Sequence, residues 1–90
     1  MHTSGAETLA LKTLEFFARD PQVLLRFLTN TGLALEDLKA SASEPELLAA
    51  VMDFLLAEDA LLEGFARSEN LNIQEVHAAR RALPGAQDMG

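Results

Sequence analysis

The chain has 90 residues, no cysteine, a formal net charge of −7 and 49% apolar residues. Its length fits one domain over residues 1–90, and its composition is that of a folded protein rather than a disordered one. The lack of cysteine excludes disulfides, thiolate metal sites and thiol nucleophiles. An acidic surface repels polyanions, so nucleic acid is a disfavoured partner, as is an anionic membrane.

No stretch of the chain has the pattern of a secretory signal or a membrane span. Residues 1–6 are polar and lack both a basic leader and an apolar core. The longest apolar run, 47–62, contains Asp53, Glu58 and Asp59, and each carboxylate would cost roughly 2.5–3.5 kcal/mol in lipid. We therefore expect a cytoplasmic protein that does not enter a membrane.

The first helix is predicted from its end signals and its apolar spacing. Ser4 and Glu7 form the S-x-x-E pattern of a capping box, which predicts a helix from about Gly5 to Ala18, after a flexible end at 1–4. The residues predicted to face inward are Ala10, Leu11, Leu14, Phe17 and Ala18. Leu9 and Phe16 lie beside this face and make it wider.

A second helix is predicted to begin at Asp20-Pro21, because proline suits a first helical position that follows an aspartate cap. It extends to about Thr31, and Gly32 ends it in a left-handed conformation. A short helix follows near 36–40. The inward residues of the second helix are Val23, Leu24, Phe27 and Leu28.

The stretch from about 44 to 57 is the most apolar of the chain and predicts a central helix that other helices surround. Apolar residues occupy nearly its whole circumference, and Asp53 is expected to be a solvated or capped edge residue. Ser43 and Glu46 form a second capping-box pattern, with Pro45 in the first turn.

Glu58 and Asp59 interrupt the apolar run, which allows either one kinked helix over 44–68 or two helices. Acidic residues at a helix start favour a break, with a fifth helix from about Asp59 to Ser68. Asn70 suits a left-handed end for that helix.

A sixth helix is predicted from Ile73 to about Leu83, because Asn72 and Glu75 form a third capping-box pattern. Pro84-Gly85 would end it, and the last residues, 84–90, would form a flexible end. These elements predict an all-α protein, a compact orthogonal bundle of five or six short helices around the central one.

Residues 65–81 also have the spacing of a helix-turn-helix, with Ala66 in the first helix, Asn70 in the turn and Val76 in the second. Helices near 59–68 and 73–83 would then read DNA, and this is our alternative function. Glu69 and Glu75 have the wrong charge for it. The residues that would approach DNA are Gln74, His77, Ala78, Arg80 and Arg81.

Candidate chemistry is sparse. His2 and His77 are the only histidines, so neither a three-histidine metal site nor a histidine triad is available. The carboxylates of Glu58, Asp59 and Glu63 are accounted for by the dipole of the helix they begin. We expect no catalytic residue, no cofactor and no metal. An enzyme would require a pocket that holds at least two carboxylates.

The remaining feature is a surplus of apolar positions. Phe16 lies away from the main apolar face of the first helix, Leu25 lies among polar neighbours on the second, and Leu33 follows that helix. We expect some of these three to form a contact surface, for an unknown protein partner or for self-association. A small non-enzymatic interaction module is therefore our leading interpretation.

Two blocks resemble a known family. The block at 27–38 contains Thr31-Gly32-Leu33, and the block at 54–66 contains Phe54-Leu55-Leu56 followed by acidic residues. Both are similar to a family of small bacterial proteins known only as a domain of unknown function, and the resemblance extends from about Glu7 to Pro84. It implies a stand-alone, cytosolic, all-helical bacterial protein, and it implies no site residues.

Overall fold

A computed structural model describes residues 2–84, and helices form most of this range. The six helices are α1 (Thr3–Ala18), α2 (Pro21–Thr31), α3 (Leu35–Ser41), α4 (Pro45–Leu56), α5 (Asp59–Glu69) and α6 (Ile73–Arg81). No strand occurs within 2–84, so the all-α prediction is confirmed. The predicted tail beyond Pro84 lies outside the described residues.

Helix α4 is the centre of the bundle, as its apolar circumference predicts. It packs against α1, α2, α5 and α6, and seven of its twelve residues are buried. Its Phe54 joins Phe17 of α1 and Phe27 of α2 in an aromatic cluster whose ring centroids lie 5.4–5.6 Å apart. Aromatic rings in edge-to-face contact combine large buried area with favourable quadrupole geometry. This cluster joins the first, second and fourth helices.

The ends of α2 follow its sequence signals. The Asp20 side chain accepts a hydrogen bond from the Gln22 backbone N–H at 3.1 Å, and Pro21 occupies the first position. Gly32 ends the helix with φ +77°, a conformation that a Cβ would make costly. The local chemistry of these residues is sufficient to set both ends of α2.

The break between α4 and α5 is confirmed, and the alternative of one kinked helix is wrong. Glu58 has extended backbone angles, φ −126° and ψ 108°, which a continuous helix does not allow. Its carboxylate accepts two hydrogen bonds from Arg26, at 2.7 and 2.8 Å. A contact with a distant helix therefore accompanies the change of direction.

Two of the three predicted capping boxes are wrong. Helix α1 begins at Thr3, before Ser4, and has no side-chain cap. Helix α4 is preceded by Glu44 rather than Ser43. The residue before Pro45 is forced out of the α region, and this makes Glu44 the last non-helical residue.

The predicted inward face of α1 is rotated from the observed one. Leu11 and Ala18 are exposed, whereas Thr13 is completely buried. The Thr13 hydroxyl donates to the Leu9 carbonyl oxygen at 2.9 Å and lies 3.6 Å from the Met52 sulfur. A hydroxyl that is bonded to its own helix enters a core at low cost. The buried residues of α1 are Ala6, Leu9, Ala10, Thr13 and Phe17.

Candidate functional site

The outer edge of α2 carries the most exposed large apolar side chain in the described part of the chain. Leu25 is 64% exposed. Leu28 lies next to Leu25 on the helix surface, and Leu24 lies next to Leu28. Both Leu24 and Leu28 are half-buried against the core. We call Leu24, Leu25 and Leu28 the leucine edge.

The exposure of Leu25 follows from the position of α2 in the bundle. Helix α2 packs against α1 and α4 through the buried Val23 and Phe27. Eleven residues contain about three turns at 3.6 residues per turn, and Leu25 points away from the buried side. No other helix is therefore in place to cover it within residues 2–84.

The side chains around Leu25 are uncharged. On a helix surface, a residue is adjacent to those three and four positions away. For Leu25 these are Pro21, Gln22, Leu28 and Thr29. All but the half-buried Leu28 are exposed. The positions adjacent to Leu25 on its own helix are consequently either apolar or polar without charge.

The single charge of α2 is neutralised within the protein. Arg26 forms an ion pair with Glu58 at 2.7 Å, and its guanidinium carbon lies 5.9 Å from the centroid of the Phe54 ring. Both contacts draw the arginine toward the α4–α5 junction. Because Arg26 is 53% exposed, the pair is a modest stabilising contact.

The other two predicted surface residues are partly covered. Phe16 is half-buried and meets Phe65 of α5 edge-to-face, with ring centroids 5.4 Å apart. Leu33 is also half-buried and packs against the core. Of the three, Leu25 is thus the one that is largely exposed, and the assignment of Phe16 and Leu33 to a partner surface stays a prediction.

The turn between α5 and α6 has the geometry that its sequence predicts. Asn70 is left-handed, with φ 56°, and the Leu71 N–H donates to the Ala66 carbonyl oxygen at 2.9 Å. This backbone pattern ends a helix tightly and satisfies its last carbonyls. The capping box of Asn72 and Glu75 is confirmed, with reciprocal hydrogen bonds of 2.9 and 3.0 Å.

The residues of the alternative DNA-reading surface separate into two groups. Gln74, His77 and Arg81 are exposed, and their spacing of three and four residues puts them on one face of α6. Arg80 points elsewhere, with two hydrogen bonds to the Asp53 carboxylate, one of them 3.3 Å long. It also donates to the Pro84 carbonyl oxygen at 3.0 Å and is only 15% exposed. Arg80 thus makes its contacts within the protein, and its assignment to a DNA-reading surface stays a prediction.

Two shallow depressions flank Asp53 along the exposed side of α4. The larger, with a volume of about 310 Å³, is lined by Glu46, Ala49, Ala50, Asp53, Arg80 and Pro84, and so contains two carboxylates. Glu46 and Asp53 are seven residues apart, which separates their backbone positions by about 10.5 Å along the helix axis. The Asp53 carboxylate is engaged by Arg80.

Two interactions were not predicted from the sequence. The pairs Asp53–Arg80 and Arg26–Glu58 join residues that are 27 and 32 positions apart. No local spacing connects partners at such a distance, and only the packing of α4 against α2 and α6 brings them together. Among residues 2–84, no three histidine, aspartate or glutamate side chains are arranged to hold a metal ion.

The fold therefore defines a small all-α protein with an acidic surface and one exposed leucine edge. Over residues 3–86 the chain matches the family described as "Protein of unknown function (DUF3572)", and it belongs to that family. This confirms the resemblance to a domain of unknown function, while its bacterial origin stays a prediction. No curated protein and no solved structure matches the chain significantly. In the described range, no helix has both the length and the apolar character needed to cross a bilayer.

Proposed function

We propose that this protein is a small non-enzymatic interaction module that binds a protein partner through the leucine edge of α2. The observation that carries the proposal is Leu25, 64% exposed and surrounded on its helix by uncharged side chains. Of the three residues expected to form a contact surface, Phe16, Leu25 and Leu33, the proposal therefore uses only Leu25 and its neighbours on α2.

The energetics of burial favour such a site. Covering one leucine side chain is worth about 1.5–3 kcal/mol, and it is not opposed here by the desolvation of an adjacent unpaired charge. The centres of protein interfaces are depleted in charged residues for this reason. The half-buried Leu24 and Leu28 extend the apolar area without further exposed charge.

A pair of matched variants tests the proposal. Leu25→Asp places a charge in the leucine edge, while Leu11→Asp makes the same change at a leucine that is 39% exposed on α1. The tagged chain and both variants are used to capture proteins from a lysate of the source cells. We expect the wild type and Leu11→Asp to retain the same specific protein, and Leu25→Asp to lose it. Equal recovery by all three would contradict the proposal. So would no recovery by any of them together with a wild type that stays monomeric at high concentration.

A second function, DNA binding through α5 and α6, is supported by the shared exposed face of Gln74, His77 and Arg81 beside a tight left-handed turn. It is weakened by the engagement of Arg80 and by the net charge of −7. The test is the electrophoretic mobility of genomic fragments at low salt, where phosphate contacts are strongest. A shift that Arg81→Ala abolishes, and that Arg19→Ala just after α1 leaves intact, would support DNA binding; unchanged mobility would exclude it.

A further inference from the structure

The acidic residues of the chain are unevenly distributed. All fourteen lie outside the stretch from Pro21 to Leu35, which contains all of α2 and the turn after it. No other stretch without a carboxylate is as long. The one charge within it, Arg26, is paired with Glu58. The helix that carries the leucine edge therefore contributes no carboxylate to the surface of an acidic protein.

We propose that the leucine edge binds a second copy of this chain, with the two α2 helices packed antiparallel about a twofold axis at Leu25. This inference rests on the proposed function and names the partner of the same surface. In such an interface each residue near the axis meets its own copy, so the surface must be complementary to itself.

The charge distribution favours a second copy over a basic partner. Two chains of net charge −7 repel each other, and like charges that face each other across an interface are costly. A twofold axis through α2 avoids this cost because no carboxylate of α2 faces its own copy. A basic partner would instead be attracted to the other five helices, each of which carries carboxylates, and would gain nothing from α2, which carries none.

The side chains around Leu25 suit this arrangement. In two antiparallel helices related by a twofold axis at residue 25, the residue three positions before Leu25 on one helix lies at nearly the same height along the helix axis as the residue four positions after Leu25 on the second helix. Gln22 of one copy then lies level with Thr29 of the second, within about one residue's rise of 1.5 Å. An amide and a hydroxyl can donate to and accept from each other, so two such pairs would border the central Leu25–Leu25 contact.

The size of α2 implies weak association. Its eleven residues are about 16 Å long, so the contact is smaller than the roughly 800 Å² per partner of a standard stable interface. We expect a dimer that forms reversibly as protein concentration rises. Added salt should strengthen it, because salt screens the repulsion between two acidic chains.

Sedimentation velocity over a wide range of protein concentration, at low and at high salt, tests the inference. We expect the weight-average mass of the wild type to rise toward that of a dimer, and to do so at lower concentration in high salt. Leu25→Asp should remain monomeric throughout, because it puts two carboxylates together at the axis. Leu11→Asp should behave as the wild type.

A cross-link locates the axis independently. The natural chain has no cysteine, so Leu25→Cys introduces a single thiol. Under mild oxidation we expect this variant to form a disulfide-linked dimer, since the residues at a twofold axis lie closest to their own copies. Leu11→Cys should cross-link much more slowly at equal concentration.

The outcomes separate this inference from the proposed function. A wild type that stays monomeric at the highest concentration and salt overturns the second-copy inference. So does a dimer that Leu25→Asp leaves intact. If the chain is monomeric and still captures a different protein in a manner that Leu25→Asp abolishes, the proposed function stands and only its partner is wrong. If neither a second copy nor another protein depends on Leu25, both fail.

Discussion

Helices α2 and α4 start alike and have different surroundings. Each has a proline at its first position, and their lengths are eleven and twelve residues. Helix α4 packs against four helices, whereas α2 packs against α1 and α4. Leucines on the two helices consequently differ in solvent exposure: Leu48 of α4 is buried, and Leu25 of α2 is largely exposed.

This difference shows that the number of surrounding helices, and not the apolar content of a helix, decides which of its faces remain available. Because α4 is enclosed, seven of its twelve residues are buried, and its exposed strip contains Asp53. Helix α2 has one buried side and one open side, and so can contribute both to stability and to binding. Three matched pairs of substitutions test this contrast.

The largest difference is expected between Leu48→Ala and Leu25→Ala. The first leaves a cavity in the core, and we expect it to lower the free energy of unfolding by about 2–5 kcal/mol. The second removes a side chain that is already exposed, and we expect a change within about 0.5 kcal/mol. Urea denaturation measures both. Similar losses for the two variants would mean that Leu25 is covered in solution, as a stable dimer would require.

A smaller difference is expected between the two paired arginines. Arg80 is 15% exposed and holds both Asp53 and the end of α6, so Arg80→Ala should lower the free energy of unfolding by about 1–3 kcal/mol. Arg26 is 53% exposed, and Arg26→Ala should cost about 0–1 kcal/mol. When the urea denaturation is repeated in high salt, the loss of stability caused by Arg26→Ala should decrease more than the loss caused by Arg80→Ala. Salt screens exposed ion pairs more strongly than buried ones. Equal effects would contradict the distinction between the two pairs.

The smallest difference is expected at the two helix starts. The Asp20 side chain caps α2, and Asp20→Ala should cost about 1 kcal/mol. Glu44 precedes α4 without a side-chain hydrogen bond, and Glu44→Ala should stay within about 0.5 kcal/mol. The comparison is made by thermal and urea unfolding. A loss at Glu44 as large as that at Asp20 would show that α4 also depends on a side-chain cap.

Local signals in the sequence predict much of the fold. Asp20-Pro21, Gly32, Asn70 and the Asn72–Glu75 pair each act through backbone geometry within a few residues, and the structure has a helix end at each. The Ser4 and Ser43 patterns show the limit of this reasoning. A capping motif offers a hydrogen bond, but the position of a proline or an earlier helix start decides whether the bond forms.

The candidate site is less predictable than the fold. Leu25 was one of three expected surface positions, and the other two, Phe16 and Leu33, are half-buried because α5 and the core cover them in part. Similarly, Arg80 belonged to a predicted DNA-reading surface, yet its side chain turns toward Asp53. Sequence periodicity assigns a residue to a face of its helix and carries no information on what lies opposite that face.

The sequence alone therefore determines an all-α protein, an enclosed central helix at about 44–57 and the positions of the main helix ends. Helix ends depend on contacts between near neighbours, and a helix that is apolar on all sides must be covered. The tertiary structure decides that Thr13 enters the core, that two arginines pair across helices and that Leu25 remains exposed. These depend on which helices meet, and helix packing joins residues that are far apart in the chain. The leucine edge exists because α2 has neighbours on one side only.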